Sequence, residues 1–307
     1  MRSIICTNLT ARIVTAAFIG VMAGSVSYES QADEEIFGYV KGAEPLPKGA
    51  LELVEWITVR SDKGTGYYQA VDSKTELEYG FTDKLSGEFD ILGMGIDTSG
   101  ILIDAYVPGD KKYGMSLAGV ELALKYNFLS PAKDPIGISS YFALSYQRLD
   151  PHSGQDKDTY SAELLFMFQK YFLDDQLILV GNIGLESTVA TRKPIANLPP
   201  DFEWPTHPEM EIEVLAGLGV SYRFAPNWFV GLEAIYDNER ETVVGVERWS
   251  VQAGPTLHYG GKKWWGTLTW LPQIVGGGAT YPGQIDQNLQ LIEKTEEEIR
   301  FKIGYNF

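Results

Sequence analysis

The three histidines of this chain are the residues that could act as a catalytic base. Hydrolysis by a nucleophilic serine needs a neighbouring histidine that takes the proton of the hydroxyl as it attacks the substrate. His152 and Ser153 are adjacent in a predicted loop, His207 lies between prolines, and His258 lies on a predicted inner face. Since no set combines a nucleophile, a base and an orienting carboxylate, the sequence predicts no catalytic residues.

Charged side chains on one face of the predicted strands offer a second kind of chemistry. Buried charges need partners or water, so such a face forms either a network of ion pairs or a wetted channel. A narrow channel would select solutes by charge and shape. No cluster of histidine or acidic residues has metal-ligand spacing, and no cofactor is predicted. The candidate lumen-lining residues are Glu121, Lys125, Glu163, Glu186, Glu213, Arg223, Glu233, Arg248, His258, Arg300 and Lys302.

These side chains must be positioned by about twelve segments in which apolar and polar residues alternate. In the segment 210–224 every second residue from Ile212 to Phe224 is apolar, which is typical of a strand with two different faces. The first and third segments alternate poorly, so their facing stays open, and Pro255 predicts a bulge or bend in the tenth. The segments lie near 50–60, 67–81, 85–96, 115–128, 137–149, 159–172, 176–189, 210–224, 227–238, 247–259, 263–273 and 294–307.

The connections between these segments alternate between short and long. The short ones, such as Ala225-Pro226-Asn227, are rich in turn residues, whereas the long ones include 190–209 and 274–293. Outer-membrane barrels have tight periplasmic turns, longer external loops and aromatic girdles, and aromatic residues concentrate at the segment ends here. We therefore predict an all-β fold: a transmembrane antiparallel up-and-down β-barrel of about 12 strands with both termini periplasmic.

The N-terminal residues predict export. Arg2 and Arg12 precede the apolar stretch 13–26, which runs into small residues and ends at Ala32. This is the pattern of a cleaved signal peptide, and the stretch is short for a membrane-spanning helix. We predict a signal peptide at 1–32 and a barrel domain at 33–307. The single cysteine, Cys6, falls in the signal peptide, so the mature chain has no thiol chemistry.

The C-terminal run resembles the closing strand of bacterial outer-membrane barrels, in which a terminal aromatic residue is expected. Its apolar face is predicted to contact outer-membrane lipid and to be the signal read by the barrel-assembly machinery. The residues of this predicted assembly signal are Phe301, Ile303, Tyr305 and Phe307.

Composition excludes two other classes of protein. With 25 basic and 41 acidic residues the net charge is −16, which argues against nucleic acid as a partner because phosphate binding needs clustered Lys and Arg. No apolar segment after the predicted signal peptide approaches the length of a membrane-spanning helix, which excludes a helical membrane protein.

Several runs spread over the mature chain carry a resemblance to a known family. They are IFGYV at 36–40, EPLPKG at 44–49, EYGFTD at 78–83, LKYN at 124–127, LSP at 129–131, FLDDQL at 172–177, YRFAPNWF at 222–229 and AGPTLHYGG at 253–261. With these runs the chain resembles an uncharacterised family of bacterial outer-membrane β-barrel proteins, known as a domain of unknown function. The resemblance implies a fold and the cell outer membrane as location, and implies no activity, ligand or catalytic residue.

The combined features predict a passive channel or uptake pore for small solutes that are not identified. Acidic residues in the predicted long loops, such as Asp97, Glu209 and Glu293, would concentrate cations at the outer mouth and give a mild cation preference. The alternative is a barrel that transports nothing, either a structural or surface-interaction protein or a lipid-modifying enzyme.

Overall fold

A computed structural model describes residues 35–101, 111–196, 198, 204–241 and 245–307. The predicted signal peptide, 1–32, lies outside these residues. The described residues form twelve strands: β1 (Leu51–Ser61), β2 (Tyr67–Thr82), β3 (Leu85–Ser99), β4 (Lys112–Leu129), β5 (Gly137–Leu149), β6 (Asp156–Phe172), β7 (Leu177–Arg192), β8 (Glu209–Ala225), β9 (Trp228–Glu241), β10 (Gly245–Gly260), β11 (Trp264–Gly278) and β12 (Glu297–Asn306). Across the same residues we find no helix with the length and apolar character needed to cross a bilayer.

The twelve strands close into one barrel. Each strand pairs antiparallel with its neighbours in the chain, and β12 pairs with β1 in a register that places Lys302 opposite Trp56. Closure satisfies the backbone hydrogen bonds of every strand inside the wall, which a bilayer requires. The predicted all-β, twelve-stranded up-and-down barrel is confirmed.

The wall has an apolar outer face and a polar inner face. On β8, Leu218 is 57% exposed and points outward, whereas Ser221 is 1% exposed and points inward. The first strand, whose facing the sequence left open, directs Trp56 and Arg60 inward. An exposed apolar exterior around a buried polar interior is the inverse of a soluble barrel and defines a membrane-spanning wall. Glu55 is an exception on the outer face, where it accepts a hydrogen bond from Thr75 Oγ1 at 2.6 Å.

Aromatic side chains gather at the two rims of the outer face. At the short-turn rim, ring centroids lie 5.2 Å apart for Tyr79 and Phe81 and 4.5 Å apart for Trp264 and Tyr305. Aromatic rings suit the headgroup boundary because they combine an apolar body with a polar edge. At the long-loop rim the corresponding pairs are Tyr146 with Tyr160 and Tyr236 with Trp249.

Two local departures from a regular ladder bear on the predictions. The pairing of β10 with β11 shifts register between Val251 and Gln252 and is then interrupted until Thr256, so the irregularity predicted around Pro255 is present.

The last strand begins at Glu297 rather than at 294. The three residues before Glu297 belong instead to a loop that folds into the lumen.

Candidate functional site

The segment 35–48, here called the plug, lies inside the barrel. Its apolar side chains are fully enclosed: Phe37 and Val40 are each 1% exposed and Ala43 is 0% exposed. Within the described residues, the plug takes no part in the strand pairing that closes the barrel. The polar inner face is therefore covered by the protein's own chain.

The plug forms an arch whose two ends lie at the short-turn rim. It starts where the Glu35 carbonyl oxygen accepts a hydrogen bond from Thr267 Oγ1 at 2.7 Å, three residues from the beginning of β11. It rises to Lys41, whose backbone contacts Asn182, five residues inside β7. It then returns to the rim, where Gly49 N donates to the Gly80 carbonyl oxygen at 2.8 Å.

Glu233 on β9 holds the first half of the arch. Its carboxylate accepts three successive backbone N–H groups, from Gly38 at 2.8 Å, Tyr39 at 2.8 Å and Val40 at 3.0 Å. Thr269 Oγ1 donates a fourth hydrogen bond at 2.7 Å. Buried polar groups require such partners, and here one side chain satisfies three backbone donors that the plug would otherwise leave unpaired.

Amide side chains hold the second half of the arch. Asn182 exchanges hydrogen bonds with both backbone groups of Lys41, at 2.7 and 2.8 Å. Gln169 Oε1 accepts from Ala43 N at 2.7 Å, and Asn127 Nδ2 donates to the Ala43 carbonyl oxygen at 3.0 Å. Each of these amides can donate and accept hydrogen bonds. They therefore satisfy the backbone groups of the extended plug in place of a neighbouring strand.

Glycines on the inner wall make room for the plug. A Cβ atom at Gly219 would lie 2.7 Å from the Phe37 ring, and one at Gly231 would lie 3.3 Å from the same ring. A glycine inside a strand commonly marks the close approach of another chain segment. At Gly231 a Cβ atom would meet the wall first, at 2.6 Å from the Val220 carbonyl oxygen, so Gly219 is the position at which the plug itself requires glycine.

Four of the eleven candidate lumen residues contact the plug. Lys302 forms a buried ion pair with Glu35, and Glu233 binds the backbone as described. Arg300 donates to the Gly38 carbonyl oxygen at 3.1 Å and stacks 3.7 Å from the Tyr39 ring centroid. Lys125 Nζ lies 3.4 Å from the Glu44 carbonyl oxygen. In this conformation these residues line the plug rather than an open pore.

Lys74 is the centre of a cluster of carboxylates beside the plug. Its ammonium group lies 2.6 Å from Asp90, 3.2 Å from Glu76 and 3.3 Å from the candidate residue Glu121. The carboxylates of Glu76, Glu88 and Asp90 also converge within 4.8 Å, close enough for one cation. Lys74 already supplies positive charge at this point, so we interpret the cluster as a buried ion-pair network.

A row of four glutamates crosses the inner wall on the opposite strands. Glu163, Glu186, Glu213 and Glu239 are direct cross-strand partners from β6 to β9, and we call them the glutamate row. Lys294 contacts Glu213 at 3.2 Å. The candidate residue Arg248 lies 3.8 Å from Glu239 at the end of the row.

The loop 279–296 covers the lumen from the long-loop side. Gln273 Nε2 donates to the Gln290 carbonyl oxygen at 3.0 Å, and Gln290 N donates back to Gln273 Oε1 at 2.6 Å. Glu293 forms an ion pair with Arg248, and its carbonyl oxygen accepts from Lys63 Nζ at 2.7 Å. Among the described residues, the loop therefore covers the long-loop half of the barrel and directs charged side chains inward.

Burial and neighbouring charges shift the pKa values of titratable groups in the long-loop half. Burial lowers the pKa of His152 to about 3, so this ring stays neutral in the folded protein. Its Nδ1 lies 2.8 Å from the Glu293 carbonyl oxygen. Burial opposes the charge on Lys294, but the carboxylates of Glu213 and Asp237 outweigh it and hold its pKa well above the usual range.

Two of the cavities formed by the described residues lie in this part of the lumen. The larger has a volume of about 310 Å³, and Tyr39, Lys41, Glu163, Glu213 and Lys294 contribute to its lining. The smaller has a volume of about 190 Å³ and is lined in part by Glu186, Glu211 and Glu239. Both cavities lie along the glutamate row, with the Glu213–Lys294 ion pair on their shared boundary.

The remaining candidate residues lie near the short-turn rim. Arg223 Nη2 lies 3.4 Å from the Asp174 carbonyl oxygen, and His258 Nδ1 lies 2.7 Å from Thr267 Oγ1. Ser153 donates its hydroxyl to Asp150 at 2.5 Å, so the hydroxyl beside His152 is directed to a carboxylate. The predicted assembly-signal residues are on the outer face of the closing strand: Phe301, Ile303, Tyr305 and Phe307.

The closed antiparallel wall, its apolar exterior and its plugged polar lumen define a transmembrane β-barrel of the outer-membrane channel fold. The chain belongs to a family of unknown function, DUF6662, whose model matches residues 29–307. The resemblance to an uncharacterised barrel family is thereby confirmed. A search of curated protein sequences gives no match.

Several solved structures that are similar to this chain are named as channels or porins. The COG4313 outer membrane channel from Pseudomonas putida F1 is 14% identical over 86% of this chain and 98% of that chain, with a TM-score of 0.54. The KdgM porin is 11% identical over 83% and 99%, with a TM-score of 0.43. The CymD monoaromatic hydrocarbon channel is 12% identical over 84% and 88%, with a TM-score of 0.41. At 14% identity and a TM-score of 0.54, the similarity to the COG4313 channel shows the fold alone.

Proposed function

We propose that the protein is a passive channel of the bacterial outer membrane for small solutes, and that the plugged conformation is its closed state. The observation that carries this proposal is the way the plug is held. Its backbone is bound chiefly by side chains of the wall, such as Glu233 and Asn182. Removing the plug therefore breaks no strand pairing within the barrel.

An open lumen would be polar enough to hold water. Once the plug withdraws, Glu233, Arg300 and Lys302 lose their plug partners and face the interior of the barrel. Charged groups require partners or water, so withdrawal favours hydration of the same surface. Barrels of this size have an interior between the filled eight-stranded and the open sixteen-stranded examples, which suits small solutes.

The charge of the outer lumen supports a mild cation preference. The larger cavity is lined by five carboxylates against Lys41, Arg60 and Lys294. Fixed negative charge raises the local concentration of cations within a screening length of about 10 Å at 0.1 M salt. The five carboxylates are Glu163, Glu213, Asp237, Glu293 and Glu298.

The orientation follows from the two rims. Both the plug and the terminal Phe307 lie at the short-turn rim, where Phe307 N donates to the Leu51 carbonyl oxygen at 3.1 Å. Short turns face the periplasm in barrels of this class, so we assign both termini to that side.

A barrel that transports nothing is the second candidate. It is favoured by closure from both sides, with the plug at one rim and the loop 279–296 at the other. In such a protein the lumen charges would serve only to rigidify the wall, and the exposed loops would carry the function.

Conductance in planar bilayers tests the proposal. We expect the refolded protein to show small, infrequent openings, and a variant lacking residues 35–47 to show longer or larger ones. Heat-modifiable gel mobility must first show that both proteins are folded. A salt gradient then gives the ion preference, which we expect to favour cations and to weaken as salt rises. Folded protein of either form that never conducts would support the non-transporting barrel.

A further inference from the structure

The glutamate row contains more carboxyl groups than cationic partners within ion-pair distance among the described residues, although Lys41 lines the same cavity as Glu163. Directly opposed like charges on neighbouring strands are destabilising, and here three such contacts follow one another across four strands. Lys294 and Arg248 neutralise the end of the row at Glu213 and Glu239. The other end, Glu163 and Glu186, has no cationic group of the described residues within ion-pair distance.

Lys294 shows what kind of group the row accepts. Its ammonium group lies 3.2 Å from Glu213 Oε1 and 3.3 Å from Asp237 Oδ1. This side chain reaches the row from a loop rather than from the wall, so it is a primary alkylammonium delivered into the lumen. One such group satisfies two carboxylates, as expected for a donor with three N–H bonds.

The surroundings of Glu163 combine negative charge with apolar surface. Glu163 lines the larger cavity together with Leu165, Leu215 and Ile235. Glu186 lines the smaller cavity and accepts a hydrogen bond from Thr188 Oγ1 at 3.2 Å. A volume of about 310 Å³ lies at the lower end of the range of small-molecule sites, about 300–1,000 Å³.

We propose that Glu163 and Glu186 bind a small aliphatic primary amine, with the ammonium group on the carboxylates and the methylene chain on the neighbouring apolar side chains. The ligand would thus repeat the contacts of Lys294 two strands further along the row. The use of this site in transport rests on the proposed channel function, whereas binding itself does not require conduction.

Two other ligand classes fit less well. A metal ion needs carboxylate oxygens that converge on one point, and among the described residues such convergence is found at Glu76, Glu88 and Asp90, where Lys74 already lies. An anion would face the acidic surplus of the cavity lining. An elongated organic cation matches a linear array of carboxylates spaced by about 4.8 Å, the distance between adjacent strands.

Calorimetric titration of the full mature protein in detergent with putrescine (1,4-diaminobutane) tests the site. We expect saturable binding that weakens at least about tenfold in Glu163→Gln and in Glu186→Gln, because each loses a charge-assisted hydrogen bond. Glu55→Gln, the same substitution on the outer face, is the matched control and should bind as the parent does. Lys294→Met should bind putrescine more tightly, because Glu213 and Asp237 become available to the ligand.

Three results would overturn the inference. Binding unchanged by both row substitutions would place the amine elsewhere, preferential binding of succinate would reverse the charge argument, and displacement of putrescine by equimolar Mg²⁺ would indicate a metal site. If putrescine binds as expected while the folded protein never conducts, the amine site stands and the channel proposal fails. If the protein conducts but binds no amine, the reverse holds.

Discussion

Asn182 in the wall and Lys41 in the plug exchange two hydrogen bonds. Lys41 N donates to Asn182 Oδ1 at 2.7 Å, and Asn182 Nδ2 donates to the Lys41 carbonyl oxygen at 2.8 Å. An asparagine side chain is short and carries both a donor and an acceptor, so it can bind the backbone N–H and C=O of one residue, whatever the side chain of that residue. The contact fixes the top of the arch by its backbone.

Loss of this contact should loosen the plug. The mature chain has no cysteine by our prediction, so Ala43→Cys introduces a single thiol at a fully buried plug position. We expect slow labelling by a water-soluble maleimide, and labelling at least several-fold faster when Asn182→Ala is added. Lys48→Cys, at an exposed position, should label rapidly in both backgrounds. Equal protection of Ala43→Cys with and without Asn182 would show that the contact is dispensable.

Arginine at two adjacent positions of β8 should act in different ways. At Leu218, on the outer face, it should destabilise the barrel by about 2 to 4 kcal/mol because a charge enters the bilayer. At Gly219 it should collide with Phe37, displace the plug and leave the wall largely intact. Urea unfolding in lipid vesicles measures the first effect, and labelling of Ala43→Cys the second. Greater destabilisation by Gly219→Arg would mean that the faces are wrongly assigned.

Deletion of Phe307 should impair assembly while leaving export intact. The residue donates a hydrogen bond from its backbone to Leu51 and packs its ring 5.0 Å from Tyr305, at the seam that closes the barrel. Phe307→Tyr keeps both features and should assemble normally. Heat-modifiable mobility in outer-membrane fractions measures the folded amount, and an undiminished amount after deletion would refute the assembly signal.

Acidification should weaken the long-loop half through His152. Its pKa is about 3 in the folded protein against 6.5 in the unfolded chain, so the unfolded chain takes up the proton first. Stability should therefore fall as the pH drops from about 6.5 toward 3. Because the side chain is 28% exposed, we expect less than the full 1.4 kcal/mol or so per pH unit. Thermal midpoints at several pH values measure the loss, and His152→Asn should flatten it.

Removal of the Lys74 charge should be among the most destabilising changes. Lys74→Met leaves Glu76, Asp90 and Glu121 without their shared counter-charge, at an expected cost of about 3 to 5 kcal/mol. Lys48→Met, at an exposed position, should change stability by no more than about 0.5 kcal/mol. Urea unfolding compares the two. A loss near zero for Lys74→Met would mean that the carboxylates carry little charge.

The strands of the barrel wall could be predicted because the patterns that determine them involve residues close together in the sequence. Alternation with period two from Ile212 to Phe224 requires two different faces, and the order of short and long connections requires an up-and-down path. Strand ends near the long loops were underestimated: β7, for example, continues to Arg192. Backbone hydrogen bonds between the strands continue there beyond the alternating apolar residues. Polar residues also pair when the preceding residues of the strand are already paired.

The interior could not be predicted in the same way, because its contacts join residues far apart in the chain. Glu233 and Gly38 are separated by 195 positions, and the residues around each of them do not indicate that the two are in contact. The glutamate row was visible only as separate inward carboxylates, since cross-strand neighbours depend on register. A Cβ atom at Gly219 would collide with Phe37, but an inward glycine in a strand does not indicate which segment approaches it.

Because both ends of the plug lie at the same rim, the plug is a loop inserted into the barrel and does not pass from one rim to the other. Residues 35–48 can leave the barrel through the rim at which both ends of the plug lie, and the pairing of β12 with β1 does not involve them. If the plug withdraws as proposed, the resistance is set by side-chain contacts such as those of Glu233 and Asn182. A pull on either end of the plug from the short-turn rim would break these contacts one after another.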